Sequence, residues 1–230
     1  MIEGVIFDLD GVLIDSERVW DRARRETVER AGGRWCDRAS TDMLGMSAPE
    51  WSAYMRDALA VPLEAQEINR LVLAAVTVQL ERELPLMPGA SAAVQRLARR
   101  WPLGLASSSN RVVIDLVLKE SGLGRSFAAT VSSEQVERGK PAPDVYLAAA
   151  EALGVDPRRT VAIEDSANGI RSADAAGMTV VAVPNREFPP APDALALVAL
   201  CIDALDQLGP GALARIARAR VGRGGRARSA

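Results

Sequence analysis

Short apolar runs alternate with helical patterns along this chain, and the alternation constrains the fold more than any other feature. The predicted strands are Gly4–Asp8, Leu103–Ser107, Ala128–Ser132, Thr160–Glu164 and Thr179–Val183, with a weaker sixth at Val198–Ile202. Successive apolar positions are typical of strands that are buried on both faces of a parallel sheet. Two of the helical patterns between them end directly before Gly154 and Gly177, which are helix stop signals. The sequence therefore predicts a doubly wound α/β domain.

One region interrupts this alternation, because residues 16–84 contain helical patterns and no convincing strand. The candidate helices are Ser16–Arg30, Pro49–Leu59 and Glu64–Leu84. The apolar run Leu71–Val78 has strand propensity, but its charged helical flanks favour a helix. The predicted domains are residues 1–15 and 86–210 for the α/β core, residues 16–85 for an inserted helical cap, and residues 211–230 for a basic, flexible tail.

Two residue counts limit the chemistry. The chain has no histidine, and its two cysteines, Cys36 and Cys201, are far apart in the sequence. The absence of histidine excludes Ser–His–Asp and Cys–His catalysis, a phosphohistidine intermediate and His-ligated zinc. The two cysteines do not have the spacing of metal ligands. The expected nucleophile is a carboxylate, a hydroxyl or a lysine.

The ends of the chain bear on its location and partners. The N-terminal segment MIEGVIFDLD has no basic stretch and no small-residue cleavage site, and the apolar runs are too short to span a membrane. We therefore expect a cytoplasmic protein with no membrane contact. Residues 211–230 carry six arginines and no acidic residue, a composition that could bind nucleic acid or acidic lipid. We predict instead that this terminus is solvated, and we expect no nucleic-acid partner. The sequence leaves monomer and homodimer open.

Carboxylates follow two of the predicted strands. Asp8 and Asp10 end the first run, and Glu164 and Asp165 end the fourth. The carboxyl ends of parallel strands share one edge of a sheet, and neighbouring carboxylates repel each other unless a cation or a shared proton stabilises them. Asp8, Asp10 and Asp165 therefore predict an oxygen-rich site for a hard divalent cation, with Mg²⁺ preferred. An alternative role for Asp165 is to cap the helix that begins near Ala167.

Two further strand ends supply hydrogen-bond donors and positive charge. Ser107 and Ser108 offer hydroxyl groups and backbone amides at a predicted helix N-terminus, where phosphate binds readily. Lys140 is one of only two lysines among 28 basic residues, and the rigid Pro-Ala-Pro that follows it favours a fixed position for its ammonium group. These residues predict a phosphate-binding site, and the alternative for the serines is a polar turn that only caps the following helix.

The four segments DLDGVLIDS, LASSSN, GKPAPD and IEDSANGI resemble, in order and context, the four motifs of the haloacid dehalogenase superfamily. The resemblance covers nearly all of residues 1–205, and the helical insert is similar to the cap of the subgroup that holds β-phosphoglucomutases and sugar-phosphate phosphatases. It implies that Asp8 is a nucleophile and that Asp10 is a general acid and then a base. The implied phosphate ligands are Ser107 and Lys140, and the implied Mg²⁺ ligands are Asp8, Asp165 and the Asp10 backbone carbonyl, with assistance from Glu164.

The resemblance implies a Mg²⁺-dependent phosphatase that hydrolyses a small phosphorylated metabolite, such as a sugar or polyol phosphate, through an aspartyl phosphate. Dehalogenases of the superfamily lack the second Asp of the first motif, so the presence of Asp10 favours phosphoryl transfer. A signalling receiver domain is disfavoured because it needs about half this length and places its phosphoacceptor away from its acidic pair.

A β-phosphoglucomutase activity remains the alternative to the phosphatase. Those mutases have a cap histidine after the first motif and basic residues on a cap loop, whereas this chain has Trp20 and the apolar Leu44 and Ala48 at the corresponding places. Arginines that can replace the missing cations are Arg22, Arg24 and Arg56. The cap residues Trp20, Met43, Met46, Trp51 and Tyr54 are candidates either for the substrate pocket or for packing.

Overall fold

The computed structural model describes residues 2–43, 46–185 and 189–216. Within these residues, six parallel strands form one sheet in the order β3-β2-β1-β4-β5-β6. The strands are β1 (Gly4–Phe7), β2 (Leu103–Ser107), β3 (Ala129–Ser132), β4 (Thr160–Glu164), β5 (Thr179–Ala182) and β6 (Leu200–Cys201). Every predicted strand is present, and its ends lie within two residues of the prediction. The prediction of a doubly wound α/β fold is therefore confirmed.

The described part of the insert between β1 and the rest of the sheet contains four helices and no strand. Its helices are α1 (Glu17–Arg30), α2 (Ala39–Asp42), α3 (Ala48–Asp57) and α4 (Ala65–Arg82). The buried residues of α4 are Ile68, Val72, Val76 and Leu80, which recur every fourth position and form one apolar stripe. Helices α1 and α3 both pack against α4. The predicted helical cap is thus confirmed, and the run Leu71–Val78 lies inside a helix as expected, whereas the short α2 was not predicted.

The remaining helices cover the two faces of the sheet. They are α5 (Ala90–Ala98), α6 (Arg111–Glu120), α7 (Asp144–Leu153), α8 (Ala167–Ala175) and α9 (Pro192–Leu195). Because side chains alternate across a strand, Val5 and Phe7 of β1 join a core with α5, α6 and the cap, while Ile6 joins a second, alanine-rich core with α7 and α8. Each fully buried Val, Ile or Phe contributes about 1.5–3 kcal/mol. Burial on both faces explains why the strands are continuous apolar runs.

Strand β1 marks a switch point in the winding of the sheet. The chain adds β2 and β3 on one side of β1, and β4, β5 and β6 on the other. Ligands of open α/β sheets bind outside the carboxyl ends of the strands at such a point. Phe7 of β1 pairs with Ile163 of β4, so the residues that follow them, Asp8 and Glu164, lie side by side at this edge.

The packed structure extends past the predicted body boundary at residue 210. Residues 210–216 are helical, and Ala212, Leu213 and Ile216 are buried. These apolar residues lie three and four positions apart, a spacing that lets one helix face pack on the body. Residues 211–216 are therefore not part of a flexible tail, and residues 217–230 lie outside the described part of the chain. In the described part, no helix is both long and apolar enough to span a membrane.

Candidate active site

A buried lysine joins the two carboxylates at the switch point. Asp8 directly follows β1 and is 6% exposed, while Lys140 is 3% exposed and Glu164 is fully buried. Lys140 Nζ donates hydrogen bonds to Asp8 Oδ1 at 2.8 Å and to Glu164 Oε1 at 2.6 Å. The ammonium group therefore neutralises part of the negative charge that β1 and β4 bring together.

Glu164 is held by donors on both of its oxygens. Tyr146 Oη donates to Oε1 at 2.8 Å, and the backbone amides of Asp165 and Ser166 donate to Oε2 at 3.0 and 3.2 Å. Gly169 makes room for this carboxylate, because a Cβ at that position would lie 1.8 Å from Glu164 Oε1. With both oxygens engaged, Glu164 is suited to orient Lys140 and to add negative charge beside a cation.

The loop that carries Lys140 is fixed at both of its ends. Arg138 forms a two-pronged ion pair with Asp144, the first residue of α7, with N–O distances of 2.9 and 3.2 Å. Ser172 Oγ on α8 donates to the Ala142 carbonyl at 2.6 Å. These contacts span the segment on either side of Lys140, so its position depends on α7 and α8 as well as on the local prolines.

Three carboxylates form a cluster that fits a divalent cation. Asp8, Glu164 and Asp165 each place an oxygen within 4.8 Å of the others, and all three are buried. Ser166, and not Asp165, caps α8 by accepting from the Gly169 amide, so the alternative role of Asp165 as the helix cap is not seen. Gly11, with φ of +76°, allows the close approach of Asp165, since a Cβ there would lie 1.9 Å from Oδ2.

Burial and mutual repulsion disturb the titration of this cluster. The pKa of Asp8 is raised to about 8, chiefly by burial; the charge of Lys140 opposes this rise, and the charges of Glu164 and Asp10 contribute to it. Burial, Glu164 and Asp8 likewise raise the pKa of Asp165 well above its usual value. Burial lowers the pKa of Lys140, but the negative charges of Asp8 and Glu164 outweigh the effect of burial, so the pKa of Lys140 is raised. The single positive charge of Lys140 therefore does not balance the three carboxylates of the cluster. A hard cation that prefers oxygen ligands can balance the remaining negative charge.

This excess charge predicts how stability depends on pH and on Mg²⁺. The folded chain holds protons on Asp8 up to about pH 8, whereas an unfolded aspartate releases its proton near pH 4. The folded state therefore binds more protons in this window, and its stability falls as pH rises. Without divalent metal, we expect the Tm to fall by several degrees between about pH 5 and pH 8, and saturating Mg²⁺ to remove most of that fall.

Thermal unfolding in chelator and in Mg²⁺ at several pH values measures this effect. An Asp165→Asn variant should show a smaller fall in chelator, because it removes one of the repelling carboxylates. A Tm in chelator that stays level or rises over the same pH range would contradict the prediction.

Asp10 lies outside the three-carboxylate cluster and faces the cap. Its Oδ1 accepts hydrogen bonds from Ser16 Oγ and from Trp20 Nε1, the latter at 3.0 Å. Its Oδ2 accepts from Ser109 Oγ at 2.6 Å and lies 3.4 Å from Ser107 Oγ. Among the described residues, the Asp10 carbonyl accepts no hydrogen bond. The Asp10 side chain thus joins the cap to the serines after β2, while its carbonyl has no partner in the described part of the chain.

The serines after β2 have distinct environments. Ser107 is fully buried, and its Oγ accepts a hydrogen bond from the Ser109 amide at 2.9 Å. Ser108 Oγ is buried, has no hydrogen-bond partner among the residues that the structure describes, and lines the cavity beside Asp8. A buried hydroxyl without a partner is destabilising by about 1–3 kcal/mol, so Ser108 has an open donor for an oxygen-rich ligand. Ser109, which the sequence did not single out as a site residue, holds Asp10.

The cap closes the cavity above these residues. About 50 Å³ of free space lies between Asp8, Lys140 and Ser108 on the core and five cap residues. The cap residues are Glu17, Trp20, Arg24, Met46 and Trp51. Of the candidates left open by the sequence, Met43 is instead buried in the core and Tyr54 hydrogen-bonds to Asp42. Arg24, one of the arginines named from the sequence as a possible cap cation, lines the cavity. Glu17 was missed as a pocket residue, although it lies three positions before Trp20 and on the same face of α1.

Charge in the cap is partly balanced within the cavity. Burial raises the pKa of Glu17 to about 7, with further repulsion from Asp10, while Arg24 opposes the rise. Burial lowers the pKa of Arg24 from its usual value, and the nearby acids oppose that change. The two side chains thus bring one donor group and one acceptor group to the roof of the cavity.

A doubly wound sheet, a buried carboxylate at the end of its first strand and a closed helical cap define the capped α/β hydrolases. The family model described as haloacid dehalogenase-like hydrolase matches residues 2–177, and the chain belongs to this family. The predicted resemblance to the subgroup of β-phosphoglucomutases and sugar-phosphate phosphatases is also confirmed by the relatives that follow.

Named relatives place the chain among phosphatases. It is 38% identical to hexitol phosphatase B of Escherichia coli over 192 residues, which covers 81% of this chain and 85% of that protein. It is similar to the crystal structure of CbbY from Rhodobacter sphaeroides in complex with xylulose-1,5-bisphosphate, with a TM-score of 0.80, 27% identity and coverage of 91% and 97%. The β-phosphoglucomutase of Clostridium difficile shares the fold, with a TM-score of 0.84, 23% identity and coverage of 96% and 99%. The chain is a phosphoric monoester hydrolase.

Proposed function

We propose that this chain is a Mg²⁺-dependent phosphatase of a small sugar or polyol phosphate and that Asp8 is transiently phosphorylated. The observation that carries the proposal is the contact between Asp8 and Lys140 in a cavity that also contains the open hydroxyl of Ser108 and the carboxylate of Asp10. A nucleophile, a phosphate-binding cation, a hydroxyl donor and a proton carrier thus surround one small space. The hexitol phosphatase relative supports the substrate class.

In the first step, an Asp8 oxygen attacks phosphorus and the bond from phosphorus to the leaving oxygen breaks. Lys140 and Ser108 contact the charged phosphoryl oxygens, and this electrostatic stabilisation lowers the barrier. Asp10 gives its proton to the leaving oxygen, so that the sugar or polyol departs as a neutral alcohol. The product of this step is phosphorylated Asp8 and ionised Asp10.

In the second step, water attacks the phosphorus of phosphorylated Asp8. Asp10 accepts the proton of that water, and the bond between phosphorus and the Asp8 oxygen breaks. Inorganic phosphate and the original two carboxyl groups result. Ser16, Trp20 and Ser109 hold Asp10 between cap and core, which keeps one carboxylate available to both steps. The closed cap limits access of bulk water to the reacting atoms.

The acidic cluster is the proposed Mg²⁺ site. Asp8 and Asp165 are suited to bind the ion directly with the Asp10 carbonyl, and Glu164 adds charge from its fixed position. When bound, Mg²⁺ offsets the repulsion between the Asp8 carboxylate and the incoming phosphate.

The cap favours hydrolysis over a mutase reaction. A mutase has to grip a second phosphate, which calls for cationic donors on the cap. Arg22 is exposed and does not line the cavity, and Arg56 is paired with Asp57 at 2.7 Å. Arg24 does line the cavity, but Glu17 lies there as well and offsets its charge. Leu44 lies outside the described residues, so its place on the predicted cap loop stays a prediction.

Metal dependence tests the proposal. Hydrolysis of a panel of sugar and polyol phosphates should stop in excess chelator and return with Mg²⁺. Ca²⁺ should bind yet support little turnover, because its larger and looser ligand shell displaces the phosphate. Release of inorganic phosphate is the measurement, with β-glucose 1-phosphate included to detect any glucose 6-phosphate. Full activity in chelator would contradict the metal site, and glucose 6-phosphate forming faster than phosphate would contradict hydrolysis.

A further inference from the structure

Arg24 has an unusual position in the roof of the cavity. It lies on α1 and is 7% exposed, and its guanidinium carbon is 5.2 Å from the ring centroid of Trp20 and 5.4 Å from that of Trp51. Both indoles also line the cavity. Contact with two aromatic rings attracts the cation and restricts its motion, so the guanidinium group is held in place before any ligand arrives.

The guanidinium group lacks a polar partner among the described residues. Among the described residues its Nε is buried without a hydrogen bond. Arginine carries five N–H donors, and a buried donor without an acceptor is destabilising. The arrangement therefore suits a ligand that brings oxygen atoms to this place.

The charges around the cavity decide which kind of ligand fits. Asp8, Asp10, Asp165 and Glu17 line the same space as Lys140 and Arg24, so acids outnumber bases before a phosphate enters. A second anionic group beside Glu17 and Asp10 would be repelled. A hydroxyl group accepts a hydrogen bond from Arg24 and donates one to Glu17, so it satisfies both groups without adding charge.

We propose that Arg24 is a specificity-determining residue that donates hydrogen bonds to hydroxyl groups of a neutral, polyhydroxylated leaving group. This inference rests on the proposed phosphatase function and adds the residue that recognises the leaving group. The indoles of Trp20 and Trp51 hold the guanidinium group, and Glu17 accepts from the hydroxyl groups that Arg24 contacts. A leaving group that carries a second phosphate is disfavoured by the same residues.

An Arg24→Met variant tests this assignment, because methionine is of similar length, can pack beside the two indoles and has no N–H donors. We expect kcat/KM for sorbitol 6-phosphate and fructose 1-phosphate to fall roughly 10- to 100-fold. For p-nitrophenyl phosphate, whose leaving group has no aliphatic hydroxyl, kcat/KM should fall much less, so that the preference for the polyol and sugar esters over p-nitrophenyl phosphate is largely lost. An Arg22→Met variant, on the exposed side of the same helix, should leave both values unchanged, and thermal unfolding should show that both variants are folded.

Three results would overturn the inference alone. The first is an equal loss of kcat/KM for both kinds of ester in Arg24→Met, and the second is no loss of kcat/KM for either. The third is a wild-type preference for fructose 1,6-bisphosphate over fructose 1-phosphate that Arg24→Met removes. The last result would assign Arg24 to a second anionic group. Failure of the wild type to hydrolyse any of these esters would overturn the proposed function as well.

Discussion

Replacing Asp8 with asparagine should reduce turnover roughly 10⁴-fold or more, the loss expected when a nucleophile is removed. Asparagine has nearly the same volume and fits the same space at the end of β1, but its neutral amide does not attack phosphorus. The variant also relieves repulsion with Glu164, Asp10 and Asp165, so we expect its Tm without metal to equal or exceed that of the wild type. Steady-state phosphate release and thermal unfolding measure the two effects.

A matched substitution separates the role of Asp8 from a general effect of removing a carboxylate. Asp57→Asn removes an exposed carboxylate that is paired with its neighbour Arg56, and it should leave turnover unchanged. Rapid quenching of the wild type during turnover should trap phosphate on the protein, and the same treatment of Asp8→Asn should trap none. An Asp8→Asn protein that keeps more than a few per cent of wild-type turnover would contradict covalent catalysis.

Replacing Lys140 with methionine should have the second largest effect, on both turnover and stability. Turnover should fall roughly 10³-fold, because the phosphate loses a preorganised cation. The free energy of unfolding should fall by roughly 3 kcal/mol without metal, since Asp8 and Glu164 lose the ammonium group that joins them in a buried environment. Mg²⁺ should restore part of the stability by offsetting that charge, yet restore little turnover.

Lys119 provides the control, because it is the other lysine of the chain and lies on the exposed side of α6. Its side chain is 80% exposed and 3.2 Å from Glu120, so Lys119→Met should change neither turnover nor stability measurably. Denaturant unfolding and phosphate release, with and without Mg²⁺, give the comparison. A Lys140→Met protein that is as stable as Lys119→Met in chelator would show that the buried ion pairs do not stabilise the fold.

The strands and the main helices were predictable because their signals are local. Continuous apolar runs, helical periodicity and stop signals at Gly154 and Gly177 depend on neighbouring residues only. The helical nature of the insert was equally predictable, since buried apolar residues recur at every fourth position of α4. The body boundary was placed too early because the arginines after residue 214 dominate the composition, while burial of Leu213 depends on a distant surface.

The candidate residues were recognisable as chemical types, but their partners were not. Asp8, Asp10, Lys140, Glu164 and Asp165 stand out as charges at the ends of apolar strands. The contacts that separate them into different roles come from elements far apart in the chain. Lys140 reaches Asp8 across 132 positions, and Ser109 reaches Asp10 across 99. Hydrogen bonds over such separations leave no periodic trace in a single sequence.

By itself, the sequence determined the α/β class, the helical insert and the edge of the sheet where charged side chains gather, because each follows from local patterns and from the parallel direction of the strands. Only the tertiary structure decided that Glu164 is engaged by Lys140 and Tyr146, that Asp10 faces the cap, and that Arg24 lies beside two indoles. These outcomes depend on how the cap packs on the core, and that packing is a sum of many weak contacts among residues that are distant in the chain.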